Sequence, residues 1–156
     1  MFKDVIVLIT GAASGIGFGT ARLFISEGAT VVGFDLEAAA LARTRDDLGE
    51  RFVSRPGDVS NEADIAAAAR FVEERFGRLD TLVNNAGRGT LVQMEAMQES
   101  DFYWHYDVLV KGPMLMVKHF APLLRKSANP SILNISSSAA RVEHTQNHFL
   151  YSTAKA

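Results

Sequence analysis

Short runs of apolar and β-branched residues alternate with longer helical patterns along this chain, and this alternation limits the possible folds more than any other feature. Each apolar run has the length of a single strand, and each intervening segment is long enough for a helix that crosses to the next strand. Because parallel strands need such crossovers, the sequence predicts an α/β fold with a doubly wound parallel sheet. The predicted strands are 5–9, 30–34, 52–55, 79–83 and 131–135, and the predicted helices are 16–27, 36–48, 61–76 and 100–126.

The composition is that of one ordinary globular domain, predicted to cover residues 1–156. A formal net charge of -2 gives no reason to expect nucleic acid or an anionic membrane surface as a partner. The apolar run 5–9 is too short for a signal-peptide core or a membrane-spanning helix. The chain has no cysteine, and its four histidines lack metal-ligand spacing, so we expect no disulfide and no metal site. These features predict a cytoplasmic protein.

The segment after the first predicted strand, TGAASGIGFG, carries glycines at positions 11, 15, 17 and 19. Glycine lets the backbone turn sharply and approach a ligand, and a helix that begins near Gly15 would direct its free N–H groups and positive dipole end at that ligand. A pyrophosphate group suits such a site, although the spacing differs from the G-x-G-x-x-G fingerprint. The alternative is a glycine-rich turn that serves only the packing of strand against helix.

Asp35 stands at the end of the second predicted strand, eighteen residues beyond Gly17. A carboxylate in this position can accept hydrogen bonds from both hydroxyl groups of an adenosine ribose and would repel a 2′-phosphate. The sequence therefore favours NAD over NADP as the cofactor. The alternative is a solvated charge at the end of a strand.

Tyr151 and Lys155 are four residues apart in the segment YSTAK, so they would lie on the same face of a helix. Taken alone, such a pair is more often a solvated helix face than a catalytic site. A tyrosine hydroxyl, with an ordinary pKa of about 10, exchanges protons poorly near neutral pH. The positive charge of Lys155 would favour the phenolate form and so make proton exchange easier.

Four motifs in register closely resemble those of the short-chain dehydrogenase/reductase family: TGAASGIG at 10–17, DV at 58–59, NNAG at 84–87 and YSTAK at 151–155. The resemblance extends from the first strand to the last residue and implies a Rossmann-type sheet of strand order 3-2-1-4-5. It also implies an NAD-dependent oxidoreductase that transfers hydride between C4 of nicotinamide and the carbon of an alcohol or ketone substrate. The residues that the resemblance places at the cofactor are Gly11, Ser14, Gly15, Ile16, Gly17, Asp35, Asp58, Val59, Asn84, Ala86, Gly87, Tyr151 and Lys155. For Asn85, a structural role in joining neighbouring loops is an equal alternative.

The resemblance further implies that Tyr151 is the general acid/base and that Lys155 binds the nicotinamide ribose. The serine that would hydrogen-bond the substrate oxygen is ambiguous in the segment NISSSAA. Ser137 stands three residues after Asn134, whereas Ser138 stands thirteen residues before Tyr151. We favour Ser137, because strand register fixes side-chain direction while a loop can absorb an extra residue.

The chain departs from the family pattern in two places. Leu109 stands where family members carry an asparagine that helps to hold a water for proton relay, and leucine can neither donate nor accept a hydrogen bond. Asp107 would point to another side of the helix and is a poor substitute. The chain also ends where family members continue into further strands and a substrate lid, so we expect either a truncated form or part of a longer chain. If isolated, these 156 residues should bind the cofactor weakly and turn over little or no substrate. Its fifth strand would then be an uncovered edge.

Two alternatives concern activity and assembly. Leu109 and the missing C-terminal part favour a second function, a dinucleotide-binding protein with little or no turnover. The apolar residues of the long predicted helix, in the segments FYW, VLV and MLMV, predict a homodimer or homotetramer, the alternative being plain packing on the sheet.

Overall fold

A computed structural model describes residues 2–141 and 147–156, which form five parallel strands covered by helices on both faces. The strand order is β3-β2-β1-β4-β5, with every neighbouring pair parallel, and this confirms the predicted doubly wound sheet. The strands are β1 (Ile6–Thr10), β2 (Thr30–Asp35), β3 (Phe52–Pro56), β4 (Thr81–Asn84) and β5 (Ser131–Asn134). All five carboxyl ends therefore meet at one edge of the sheet, where the predicted site residues follow the strands.

The α-helices are α1 (Gly15–Ser26), α2 (Ala38–Leu48), α3 (Glu62–Phe76), α4 (Glu99–Tyr106), α5 (Gly112–Leu124) and α6 (Phe149–Lys155). Helix α3 shows why such segments begin and end where they do. The Asn61 side chain accepts a hydrogen bond from the Ala63 N–H at 2.9 Å, which satisfies one of the free donors of the first turn. Gly77 ends the helix in the left-handed conformation with φ of 72°, which glycine adopts without strain.

The core consists of two clusters, one on each face of the sheet, because alternate residues of β1 point to opposite faces. Ile6 and Leu8 pack with residues of α3 and α5 on one face. Val7 and Ile9 pack with residues of α1 and α2 on the other. Every residue of β1 is buried, which explains why its first four residues are all apolar instead of alternating with polar ones.

The single helix predicted at 100–126 is divided in the structure into α4, a π-helical turn at Asp107–Lys111, and α5. The Gly112 N–H donates to the Asp107 carbonyl, five residues back, in place of the usual four. Pro113 follows directly and has no N–H to donate to the carbonyl of Leu109, so the regular ladder cannot continue through this point. The wide turn changes which side chains the helix presents to the carboxyl edge of the sheet.

Strand β5 lies at the edge of the sheet, and all four of its residues are exposed. Ile132 and Leu133 keep 45% and 49% of their surface accessible, which is unusual for apolar side chains on a parallel strand. This agrees with the expectation that the fifth strand is an uncovered edge. Within the described ranges, no helix has the length and apolar character that crossing a membrane requires.

Candidate active site

A cleft of about 860 Å³ runs along the carboxyl edge of the sheet and brings together residues far apart in sequence. One end is formed by the glycine loop and the end of β2, and the other by β5 and α6. The predicted site residues that line it are Gly11, Ser14, Gly15, Ile16, Asp35, Asp58, Val59, Ala86, Gly87, Ser137, Tyr151 and Lys155. Gly17, Asn84 and Ser138 are not among the lining residues.

The glycine loop is shaped by close approach of backbone to backbone. A Cβ atom on Gly17 would lie 2.0 Å from the carbonyl oxygen of Gly11, a distance that no side chain tolerates. Gly11 has φ of 66° and packs against Ala86, whose Cα would be 2.9 Å from an added Cβ. Gly15 also has a positive φ, 52°, but an added Cβ would meet nothing within 4 Å, so its side faces open space. Gly17 thus allows helix α1 to pack directly against the backbone of Gly11, whereas Gly15 faces open space at the cleft.

Asn85 and Thr10 join the glycine loop to the segment that follows β4. The Thr10 hydroxyl accepts the backbone N–H groups of Asn85 and Ala86 at 3.0 and 2.9 Å. In return, the Asn85 side-chain amide donates to the carbonyls of Thr10 at 2.9 Å and Gly11 at 3.1 Å. This is the joining role that the sequence left as an alternative for Asn85. Thr10 was not identified from the sequence, because a buried threonine at a strand end has no distinctive local pattern.

The carboxylate of Asp35 is fixed at the end of β2 by two backbone donors. One oxygen accepts the Ala13 N–H at 3.0 Å and the other accepts the Glu37 N–H at 3.1 Å. Glu37 lines the same end of the cleft and adds a second negative charge that the sequence analysis did not single out. The two carboxylates give this end of the cleft a negative electrostatic potential.

Asp58 and Val59 form the turn that leads from β3 into α3. The carboxylate of Asp58 accepts the Ser60 N–H at 2.8 Å, while its own N–H donates to Asp64 at 3.0 Å. Val59 is buried, and Gly112 packs against it so closely that an added Cβ would lie 3.1 Å from the Val59 carbonyl oxygen. Asp58 and Val59 therefore line the cleft and also stabilise the turn between β3 and α3.

Asn84 does not lie in the main cleft, where the family resemblance had placed it. Its side chain is 5% exposed and donates to the Asn134 side chain on the neighbouring strand at 2.8 Å. It points into a second cavity of about 530 Å³, which Leu109 and Lys155 also line. Ala86, two residues further along the chain, lines both this cavity and the main cleft.

Tyr151 and Lys155 meet the main cleft from helix α6. The Lys155 Nζ atom lies 6.0 Å from the centre of the Tyr151 ring and donates to the Ile135 carbonyl at 2.6 Å. Burial lowers the pKa of Lys155 below its ordinary value, because the ammonium group is partly removed from water. Glycines permit this approach: an added Cβ on Gly89 would lie 2.7 Å from the Tyr151 ring, and one on Gly87 would lie 3.4 Å from Nζ.

The two candidate serines are placed differently. Ser137 is half-buried and lines the cleft, and its hydroxyl accepts the Ala139 N–H at 3.2 Å as the cap of a short 3₁₀ helix, Ser138–Ala140. Ser138 is exposed and begins that helix. Ser136, which the sequence analysis passed over, also lines the cleft and donates to the Lys155 carbonyl at 2.8 Å. It anchors the end of α6 to the end of β5.

Leu109 and Asp107 face different cavities. Leu109 is buried beside Gly87 and lines the second cavity, whereas Asp107 lines the main cleft. The carboxylate of Asp107 is paired with Lys111 at 2.7 Å across the π-helical turn. Leu109 and Lys155 line the second cavity together with the polar side chains of Asn84, Asn134 and Ser136.

His148 lies beside Tyr151, just before helix α6 begins. Its ring packs edge-on against Tyr151 with centroids 6.2 Å apart, and its Nδ1 atom is buried with no hydrogen-bond partner in the described part of the chain. His144 lies outside the described residues. The described residues contain no group of three or more side chains placed to hold a metal ion.

Comparisons with known proteins agree with this architecture. The fold is a Rossmann-like parallel α/β fold. It superposes on the structure of 3-ketoacyl-(acyl-carrier-protein) reductase from Brucella melitensis, which is complexed with NADH, with a TM-score of 0.93. The two chains are 33% identical, and the match covers 99% of this chain and 66% of that one. The sequence profile described as short chain dehydrogenase matches residues 5–156. The chain therefore belongs to the short-chain dehydrogenase/reductase family.

Two curated relatives show the extent of the match. An uncharacterized oxidoreductase, YxjF, of Bacillus subtilis is 36% identical over 135 residues, which are 85% of this chain and 52% of the relative. Galactitol 2-dehydrogenase of Agrobacterium fabrum is 34% identical over 137 residues, which are 87% of this chain and 54% of the relative. The chain thus spans about half the length of these curated relatives.

Proposed function

We propose that this chain carries the cofactor site and the catalytic side chains of an NAD-dependent oxidoreductase that acts on an alcohol or ketone. The observation that carries the proposal is the single cleft that has the glycine loop and Asp35 at one end and Tyr151 and Lys155 at the other. A dinucleotide is a long ligand with a phosphate centre and a reactive ring at one end, and this cleft offers a matching order of groups. Two of the proteins compared above, one named as a dehydrogenase of galactitol and one as a 3-ketoacyl reductase, are named for reactions of this kind.

The residues of the cleft fit an NAD molecule. Helix α1 begins at Gly15, and the side chain of its N-cap residue, Ser14, makes no capping hydrogen bond, so the first N–H groups are available to a pyrophosphate. Gly15 leaves the space in front of them open. Asp35 retains acceptor capacity for ribose hydroxyls, and Glu37 adds to the repulsion of a 2′-phosphate. The NADH in the Brucella structure supports the same choice of cofactor.

The proton chemistry is assigned to the other end of the cleft. When bound, the nicotinamide ring would supply or accept the hydride. Tyr151 would exchange a proton with the substrate oxygen, and Ser137 would orient that oxygen by a hydrogen bond. Lys155, held by the Ile135 carbonyl, would favour the phenolate form of the tyrosine through its positive charge.

The second candidate function is dinucleotide binding without turnover, and the burial of Leu109 beside Lys155 is the observation that favours it. An apolar side chain there cannot hold a water that returns protons to Lys155. A slow enzyme and an inert binding protein would both bind NAD, but only the first would reduce or oxidise it.

Single-turnover kinetics would separate the two functions. The chain is mixed with NADH and a panel of ketones, or with NAD and galactitol, and absorbance of the reduced nicotinamide is followed. We expect a slow change that Tyr151→Phe reduces by at least about a hundredfold and that Leu109→Asn accelerates. A parent that binds NAD but shows no change in absorbance above background would establish the binding protein instead, and equal measurable rates in the parent and in Tyr151→Phe would refute the role of Tyr151 as the acid/base. No gain from Leu109→Asn would remove the relay explanation.

Assembly into a homodimer or homotetramer belongs to the same proposal. Phe102 and Tyr103 of α4 and Met114 of α5 are exposed, with 38%, 52% and 67% of their surfaces accessible. Exposed large apolar side chains are typical of a surface that pairs with a second copy. Analytical ultracentrifugation of the parent and of Met114→Lys would test it, and a monomeric parent would refute it.

A further inference from the structure

Arg88 occupies a position in the cleft that the proposed chemistry does not use. It lies between Gly87 and Gly89, the two glycines that allow close approach of Lys155 and Tyr151. The segment is anchored upstream by the hydrogen bonds of Asn85 to the Thr10 and Gly11 carbonyls. Arg88 therefore follows an anchored residue and lies beside Tyr151 and Lys155 in the cleft.

The side chain of Arg88 rests on an aromatic platform. Its guanidinium carbon lies 4.2 Å from the centre of the Trp104 ring, and both residues line the cleft. Trp104 packs edge-on against the buried His105, with ring centroids 4.7 Å apart. His105 accepts the Thr90 N–H at 3.2 Å, and its other ring nitrogen lies 2.7 Å from the Asp101 carbonyl. Through His105, Trp104 is thus linked by hydrogen-bond contacts both to helix α4 and to the loop that carries Arg88.

The carboxylates that line the cleft, Glu37 among them, form no ion pair with Arg88 in the described part of the chain. Asp107 is paired with Lys111 at 2.7 Å, Asp35 accepts two backbone N–H groups, and Asp58 accepts the Ser60 N–H. Arg88 forms no ion pair within the described residues. It is also one of two cations among the described residues that line the cleft, and the other, Lys155, donates to the Ile135 carbonyl.

We propose that Arg88, whose guanidinium lies over the Trp104 ring, is an anion-binding group that receives a phosphate or carboxylate oxygen of a ligand in this cleft. The planar guanidinium presents paired donors that match such groups, and no ion pair within the described residues engages them. The inference rests on the proposed function, because it assumes that cofactor and substrate enter this cleft. Two sources of the anion share this chemistry: the pyrophosphate of the dinucleotide and an acidic group on the substrate.

Trp104 is the sole tryptophan of the chain, so its fluorescence reports directly on ligands that reach Arg88. The parent, Arg88→Gln and Arg88→Lys are titrated with NAD, with inorganic pyrophosphate and with adenosine, which has no phosphate. The same proteins, with saturating NAD where NAD binds, are titrated with acetoacetate and with uncharged acetone. Arg43→Gln, at an exposed position of α2 outside the cleft, is the matched control, and circular dichroism verifies folding.

The two sources predict different patterns. If the anion belongs to the cofactor, Arg88→Gln weakens NAD and pyrophosphate binding about ten- to a hundredfold, leaves adenosine unchanged, and Arg88→Lys loses less. If the anion belongs to the substrate, NAD binding is unchanged and the preference for acetoacetate over acetone is lost. Both patterns support the proposal, with Arg43→Gln equal to the parent.

Equal affinities of the parent and Arg88→Gln for NAD, pyrophosphate and acetoacetate would overturn the proposal, as would a parent that binds none of them. Failure of the proposed function would give a different result in the same titrations. A parent that binds pyrophosphate through Arg88 but does not bind NAD would refute the cofactor assignment and retain the anion site.

Discussion

Alanine substitutions in the glycine loop should have sharply different effects on stability, because the three helical glycines of α1 meet different surroundings. A methyl group on Gly17 would lie 2.0 Å from the Gly11 carbonyl oxygen and 2.7 Å from the Asn85 side-chain nitrogen. Gly15 and Gly19 have nothing within 4 Å of the added carbon. Gly15 has a positive φ of 52°, whereas Gly19 has ordinary helical geometry within α1.

The expected magnitudes follow from these surroundings. Gly19→Ala should stabilise the protein by about 0.5–1 kcal/mol, because alanine loses less backbone entropy in a helix. Gly15→Ala should cost about 1–2 kcal/mol for the left-handed conformation. Gly17→Ala should cost roughly 2–4 kcal/mol, which combines about 1–3 kcal/mol of overpacking with about 1 kcal/mol for the disturbed hydrogen bond from Asn85 to Gly11.

Urea unfolding followed by circular dichroism measures these differences directly, provided that the denaturant slope is the same for all variants. The predicted order of stability is Gly19→Ala, parent, Gly15→Ala and Gly17→Ala. If the unfolding free energies of Gly17→Ala and Gly19→Ala differed by less than about 1 kcal/mol, the backbone around Gly17 would have room to move. That result would refute the claim that Gly17 is required by the close approach of α1 to Gly11.

Three further predictions concern other parts of the molecule. Asn85→Ala should destabilise the fold by about 1–3 kcal/mol in urea unfolding, since the Thr10 and Gly11 carbonyls lose their donor; an unchanged midpoint would contradict this. Burial lowers the pKa of Lys155 in the folded state. Between that lowered pKa and the ordinary value of about 10.4, the unfolded chain therefore binds more protons than the folded one. The free energy of unfolding of the parent should accordingly rise with pH in this window, relative to that of Lys155→Met. If the free energy of unfolding changed with pH in the same way in both proteins, the ammonium group of Lys155 could not be desolvated in the folded state. Ile132→Lys on the exposed edge strand should reduce concentration-dependent light scattering, and equal scattering would show that this edge is not an association site.

The architecture was predictable because its determinants are local. Apolar runs such as 5–9, the cap at Asn61 and the stop at Gly77 each act within a few residues, and the parallel order follows once strands and helices alternate. The carboxyl ends of parallel strands then necessarily share one edge. This is why Asp35 and Tyr151, more than a hundred residues apart, could both be assigned to one cleft.

The parts that could not be predicted depend on contacts between distant segments. The π-helical turn before Pro113 leaves the apolar pattern almost unchanged, so a helical period cannot reveal it. The inward turn of Asn84 toward Asn134 depends on a strand fifty residues away. The stacking of Arg88 on Trp104 likewise requires the loop after β4 and helix α4 to be placed first. Each of these features is a tertiary contact without a local sequence signal.

The most direct test of the account is a comparison of NAD and NADP binding to this chain by isothermal titration calorimetry, with Asp35→Ser as the matched variant. The central claim is that the cleft binds a dinucleotide whose adenosine ribose is received by Asp35 beside Glu37. The account predicts that NAD binds at least about tenfold more tightly than NADP, and that Asp35→Ser narrows this ratio mainly by weakening NAD. Equal or tighter binding of NADP to the parent, or no binding of either dinucleotide, would contradict it.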